Sequence, residues 1–278
     1  MSGEAFYDAL ETRDPAERER QQLSLLSDVV GIAQTRSAWY GRLLAGVQPG
    51  SVSSRKALAA LPVTRKHDLV GPMRDNPPFA GLNVAGLDQA GEIFTSPGPL
   101  YEMNTARPDF YGTARALHAA GFRAGDIIHN SFSYHLTPGA WIMHAGARAL
   151  GCPVVPAGIG NTEQQVQIIQ QVRPKGYCGT PDYLRTILEK ADEMGADASS
   201  ITHALVGGGP LFPQLRRAYN DRGIAVYQAF ATAELGNIAY ETPALDGMVV
   251  AEDKIVEILV PGTGDPVANE GDVGELVV

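Results

Sequence analysis

The sequence is poor in most features that mark a special class. It has two cysteines, Cys152 and Cys178, in 278 residues. Two cysteines make no disulfide framework, and this spacing fits no metal motif. Each lies in or beside an apolar segment, so both read as small buried hydrophobes in a reducing compartment. Basic residues are scarce: 22 Lys and Arg stand against 31 Asp and Glu, giving a net charge of −9. An acidic chain without a basic stripe excludes a nucleic-acid footprint and attraction to an anionic membrane. No uncharged apolar run is long enough to span a bilayer. The start, "MSGEAFYDALETRDPAERERQQ", has no apolar h-region and so no signal peptide. A soluble, cytoplasmic protein is expected. Walker A, GxGxxG and GxSxG motifs are all missing, which removes the common nucleotide-loop, dinucleotide and hydrolase-elbow readings.

The chain is 44% hydrophobic, enough for one large domain or a domain with a subdomain. Residues 1–45 read as helical, with Thr12 as cap and Pro15 in the first turn. This N-terminal region suits a dimer element or a core role, and the sequence leaves both open. The proline- and glycine-dense "GPMRDNPPFAGLN" reads as loop. From Phe110 onward, amphipathic helices alternate with short apolar strands, among them "DIIHNSF", "PVVPAG", "HALVGGG" and "AVYQAF". That alternation predicts an α/β fold, with a mostly parallel sheet covered by helices on both faces. Thr162 with Gln165 fits a capping box, and Pro181 and Pro210 fit first helical turns. After Leu235 the texture changes to short strands with no helix between them, a small antiparallel β element. The expected division is a body over 1–235 and a β subdomain over 236–278.

In parallel α/β sheets, ligands bind at the carboxyl ends of the strands. Phe132, Tyr134 and His135 follow the first strand of the series, and Ala157 and Gly158 follow the second. Gly207-Gly208-Gly209-Pro210 and Phe230-Ala231-Thr232-Ala233-Glu234 follow later ones. The three glycines let a flat ligand lie against bare backbone, though the same run also serves as a plain strand-to-helix turn. Glu234 is the one carboxylate of this mouth. It reads either as a functional acid or as an acidic residue favoured in a helix's first turn. Upstream, "EIFTSPGPLYEM" (residues 92–103) has the position of a phosphate-cradling turn, but with one glycine, two prolines and no lysine. Prolines remove N–H donors, and phosphate binding needs donors and positive charge.

Taken in order, these segments resemble the phenylacetate–coenzyme A ligase branch of the adenylate-forming enzymes. "FYDALETRDPAERERQQ" is similar to that family's opening helix and "LPVTRKHDLV" to its "LPxTxKxDL" segment. The run from "GFRAGDIIHN" to "GIGNTEQQ", then "GTPDYLRTILEKADEMG", then "GGGP" and "FATAE", follows the family's order over nearly all 278 residues. The resemblance implies the N-terminal domain fold of adenylate-forming enzymes. It implies activation of a carboxylic acid, aryl by family expectation, to an acyl-adenylate and on to an acyl-coenzyme A thioester, with ATP, magnesium and coenzyme A. It carries the family's "GAEP" onto Gly207, Gly208, Gly209 and Pro210, and its "YGxTE" onto Phe230, Ala231, Thr232, Ala233 and Glu234. Glu234 would be the catalytic, magnesium-associated carboxylate. The acid pocket would take Phe132, Tyr134, His135, Ala157 and Gly158.

Four departures stand out. The family's phosphate loop, "SSGTTGKP", falls on residues 95–102, where Thr95, Ser96 and Gly98 keep some donors and Glu102 adds negative charge. Ala233 replaces a hydroxyl residue. The run from Glu241 to Asp253 holds no Cys and no His, so no zinc is expected. Family members continue past "GELVV" into a hinge aspartate and a lid domain, and the sequence holds neither. The resemblance therefore supports an acid–coenzyme A ligase domain. The altered loop and missing lid support instead a non-catalytic acyl- or nucleotide-binding scaffold of the same fold.

Overall fold

A computed structural model describes residues 5–278. The chain forms two compact units. One comprises the residues up to Asp8, Gly91–Ser96 and Glu102–Ala251; the other comprises Ala9–Ala90, Pro97–Tyr101 and Glu252–Val278. This division follows packing, and it cuts the chain differently from a boundary at residue 235.

In the second unit, α1 (Pro15–Arg36), α2 (Ala38–Leu43), α3 (Arg55–Ala59) and α4 (Val70–Asp75) carry most of the structure. Asp14, not Thr12, caps α1: its carboxylate accepts from the N–H groups of Ala16 and Glu17 at 3.0 and 3.1 Å. Thr12 lies in a preceding 3-10 turn and turns its hydroxyl back to Ala9 O. The segment read as pure loop contains α4, packed through Met73 against Leu69, Ala80 and Leu100. Val30, Leu44 and Val52 form a further small core.

The chain then makes a hairpin of β1 (Ala90–Ser96) and β2 (Leu100–Thr105). The first unit follows in strict alternation: α5 (Ala114–Ala119), β3 (Ile128–Asn130), α6 (Gly139–Leu150), β4 (Val154–Pro156), α7 (Thr162–Val172), β5 (Gly176–Gly179), α8 (Pro181–Met194), β6 (His203–Val206), α9 (Pro213–Asp221) and β7 (Ala225–Thr232). Two antiparallel strands, β8 (Gly236–Tyr240) and β9 (Val249–Val250), complete a seven-stranded sheet ordered β4-β3-β5-β6-β7-β8-β9. The first five strands of that order pair in parallel. Strands β10 (Glu257–Leu259) and β11 (Glu275–Val277) pair antiparallel in the second unit. The antiparallel texture expected after Leu235 is present, but its first half extends the main sheet.

Strand periodicity of two explains both cores. Tyr177, Ala204, Val206 and Val226 face α7, α8 and α9 in one cluster with Ile169, Leu184 and Ile187. Their neighbours Cys178, Leu205 and Ala229 face α5 and α6 with Leu117, Phe122 and Met143. Both sheet faces are covered, so the strands are largely apolar, with His129, Asn130 and Gln228 as polar exceptions that are hydrogen-bonded. Cys152 and Cys178 are both free and buried. Burial pushes the Cys152 thiol up to about 11.

Candidate functional site

The carboxyl ends of β3 to β7 all lie in the first unit, and backbone bonds knit them together. Ser131 N–H donates to Cys178 O at 2.7 Å, and Gly207 N–H to Gly179 O at 3.2 Å. Ala157 and Gly158 both donate to Asn130 O, at 3.0 and 3.1 Å. The glycine run is close-packed. A Cβ on Gly207 would sit 2.8 Å from Ala229 O of the neighbouring strand. A Cβ on Gly208, where φ is +69°, would sit 3.5 Å from Phe132 Cε1 and 3.8 Å from Thr180 Cγ2. Gly208 therefore brings bare, left-handed backbone against the Phe132 ring. Three strand-end loops expose large apolar residues, Leu136, Ile159 and Phe212, and the end of β7 exposes Phe230.

Tyr134 is held at its hydroxyl. Asn130 Nδ2 donates to Tyr134 Oη at 2.9 Å and to Ala140 O at 2.9 Å, and Asn130 Oδ1 accepts from Phe132 N–H. His144 Nδ1 lies 3.0 Å from the same hydroxyl. With Asn130 donating, the Tyr134 proton points at His144 Nδ1, which makes that nitrogen the acceptor. Burial raises the Tyr134 pKa above its ordinary value. Burial, followed by Arg148, lowers that of His144. His135 is exposed, and its backbone N–H is taken by Ser133 Oγ at 3.1 Å.

Glu234 is exposed in the tight turn between β7 and β8. The first-turn-of-helix reading is therefore incorrect here, because the chain reverses into a strand and no helix follows. Thr232 Oγ1 accepts from Leu235 N–H at 3.2 Å across that turn. Phe230, Ala231 and Thr232 end β7, with Phe230 paired to Ala239. Pro210 does not open a helix, since Pro213 does. Between them the backbone stays extended, and Leu211 N–H is taken by Gln228 Oε1 at 3.1 Å. Gln228 belongs to a network that no local sequence pattern signals. Arg216 Nη2 donates to both carboxylate oxygens of the buried Glu241, at 2.7 and 2.9 Å, and Glu241 accepts from Gln228 N–H at 2.8 Å.

The profile of AMP-binding enzymes matches residues 111–278, which hold every one of these strand ends. The chain belongs to that family.

Within it the chain is phenylacetate–coenzyme A ligase-like. A phenylacetate–coenzyme A ligase of Aromatoleum evansii is 35% identical over 251 residues, covering 84% of this chain and 54% of the relative. One from Thermus thermophilus is 31% identical over 288 residues, covering 98% and 63%. The chain thus spans about half to two thirds of the length of these relatives. A 2-hydroxyisobutyryl-CoA ligase in its postadenylation state superposes with a TM-score of 0.90 at 25% identity, covering 99% of this chain and 62% of that one. The same ligase, in an open conformation with 2-HIB-AMP and CoA, gives 0.86 over 94% and 61%.

The Gly208 backbone carries no side chain, and its nearest neighbour is the Phe132 ring. The hairpin fits a polyphosphate poorly. Thr95 N–H is spent on Leu136 O at 2.9 Å, and the buried Ser96 donates its hydroxyl to Glu102 Oε1 at 2.7 Å. Pro97 and Pro99 have no N–H to give. Gly98, in a cis peptide with Pro99, is at a hairpin tip that packs in the second unit, where Tyr101 N–H meets Met73 Sδ at 3.4 Å.

Proposed function

We propose that this chain supplies the acid- and nucleotide-binding part of an acid–coenzyme A ligase acting through an acyl-adenylate. The observation that carries the reading is the set of strand ends in one unit, with the Gly208 backbone lying against the Phe132 ring. Phe132, Tyr134, Ala157 and Gly158 form the walls for a carboxylic acid, aryl in class. The Tyr134 hydroxyl is already committed to His144, so its ring and not its proton faces the substrate. Gly207, Gly208, Gly209 and Pro210, with Phe230, Ala231, Thr232 and Ala233, form the nucleotide side. Glu234, at the exposed turn, would supply a carboxylate ligand to the magnesium ion carried with the nucleotide. Apolar loop residues around the mouth exclude water once a ligand is seated.

One observation favours a second reading, a binding protein without ligase turnover. The Ser96–Glu102 contact spends on a carboxylate the hydroxyl that a phosphate would need.

Calorimetric titration of the 278-residue chain with ATP and magnesium, and then with AMP, tests the proposal. Binding that is abolished by Glu234→Ala and by Gly208→Trp supports a live nucleotide side. AMP binding without ATP binding favours the second reading. No heat from either nucleotide overturns both nucleotide readings.

A further inference from the structure

Gln165 does not make the expected capping box with Thr162. The N-cap of α7 is Asn161, whose side chain makes no capping bond. Gln165 instead turns inward and is 2% exposed. Its Oε1 accepts from Ser131 Oγ at 3.0 Å and lies 2.8 Å from His129 Nε2. Its Nε2 donates to Gly160 O at 2.7 Å and Gly158 O at 3.0 Å, and lies 3.1 Å from Tyr183 Oη. Tyr183 in turn donates to Gly160 O at 3.0 Å. Flipping the carboxamide would set its oxygen against the carbonyls of Gly158 and Gly160, which only accept. Its orientation is therefore fixed, and the His129 proton must sit on Nε2.

The turn held in this way is unusual. Gly158, Gly160 and Asn161 all have positive φ, at 68°, 75° and 47°. Nothing lies within 4 Å of where a Cβ on Gly158 or Gly160 would sit. The turn is therefore shaped by its hydrogen bonds and not by crowding, and the space beside it is open. Its other anchor is Asn130, whose carbonyl takes the Ala157 and Gly158 N–H groups and whose side chain holds Phe132 N–H and the Tyr134 hydroxyl. Asn130 and Ser131 follow one another on the chain, so one strand end serves both anchors.

We infer that Gln165 and Asn130 are a positioning pair that sets the shape of the acid pocket, and with it the size of acid accepted. Asn130 fixes the aromatic wall. Gln165 fixes the turn that carries Gly158 and Gly160 through its bonds to their two carbonyls. The inference rests on the reading above that Phe132, Tyr134, Ala157 and Gly158 line the acid pocket. A pocket of defined depth discriminates one methylene by about tenfold or more, and a loosened one loses that margin.

The test titrates the full chain with benzoate, phenylacetate and 3-phenylpropionate, and separately with AMP. The variants are Gln165→Leu and the milder Tyr183→Phe, which removes the second donor to Gly160 O together with that hydroxyl's contacts to Gln165 Nε2 and Thr162 Oγ1. The expected result is a parent that separates neighbouring acids by about tenfold, and variants in which that ratio collapses while AMP affinity is unchanged. Hydrogen exchange at residues 158–162 should accelerate in both variants, with β5 and β6 still protected. If the parent binds none of the three acids, the acid-pocket reading fails, and the inference with it. If the parent discriminates and Tyr183→Phe and Gln165→Leu keep the same ratios, the inference alone fails. A parallel loss of acid and AMP affinity in both variants also overturns it, because Gln165 would then be a general stabiliser.

Discussion

At the scale of single residues, the hairpin contact between Ser96 and Glu102 bears most directly on the proposed nucleotide side. A buried serine hydroxyl has one proton to donate, and here it goes to a carboxylate. A phosphate arriving at that hydroxyl would compete with Glu102 and be repelled by it. Replacing Glu102 with Gln removes the repulsion while keeping an acceptor for Ser96. Affinity for ATP should rise about two- to fivefold, the worth of one exposed or half-exposed charge interaction. An unchanged ATP titration would show that this stretch is not at the phosphates. Gln165 makes the complementary point. Its spacing from Thr162 matched a surface capping motif, yet its carboxamide bonds to residues as far as 36 positions away. No local pattern signals that, because the local pattern is satisfied by either orientation.

At the scale of elements, caps and periodicity were largely legible. The alternation of amphipathic helix and apolar strand from Phe110 to Thr232 corresponds to α5 through β7. Pro181 opens α8 as expected. The misplacements share one cause, which is that several residues of the right type compete for one position. Asp14 wins the α1 cap over Thr12, because a carboxylate immediately before Pro15 reaches two free N–H groups. Asp14→Ala should lower stability by about 1 kcal/mol in urea unfolding. Thr12→Ala should change it far less, since Thr12 caps nothing but its own 3-10 turn. Equal effects would mean that the cap assignment is incorrect. Pro213 likewise opens α9 in place of Pro210, because Leu211 N–H is taken by Gln228 and Phe212 is extended. Strand β2 carried too little apolar alternation to be read in advance, and it forms by pairing with β1.

At the scale of the whole molecule, stability should depend on pH through histidines. Burial lowers the pKa of His129, His144 and His203 from the ordinary 6.5, in each case as the largest cause. Each is therefore held neutral in the fold at pH values where the unfolded chain already binds a proton. Between about 6.5 and the lowered values the unfolded state carries more protons, so stability rises with pH there and is lost as pH falls. The urea midpoint should be lower at pH 5.5 than at pH 7.5. His144→Asn, which keeps an acceptor near the Tyr134 hydroxyl, should flatten the slope by one group's share. A midpoint that does not change over this range would contradict the burial of these rings. The family's order of strand ends was also readable at this scale, since it depends only on which segment follows which strand.

Composition and periodicity alone determined the α/β class, the two covered sheet faces and the glycine and aromatic segments at the strand ends. These depend on residue type at local spacing, and a period of two or of 3.6 is written along the chain. Only the tertiary structure decided that β8 and β9 extend the main sheet, that Ser96 serves Glu102, that Glu241 braces the strand after the glycine run, and that Gln165 faces inward. Each of those is a pairing between groups distant in sequence or equally content elsewhere, and its partner is chosen by packing, which no single segment encodes.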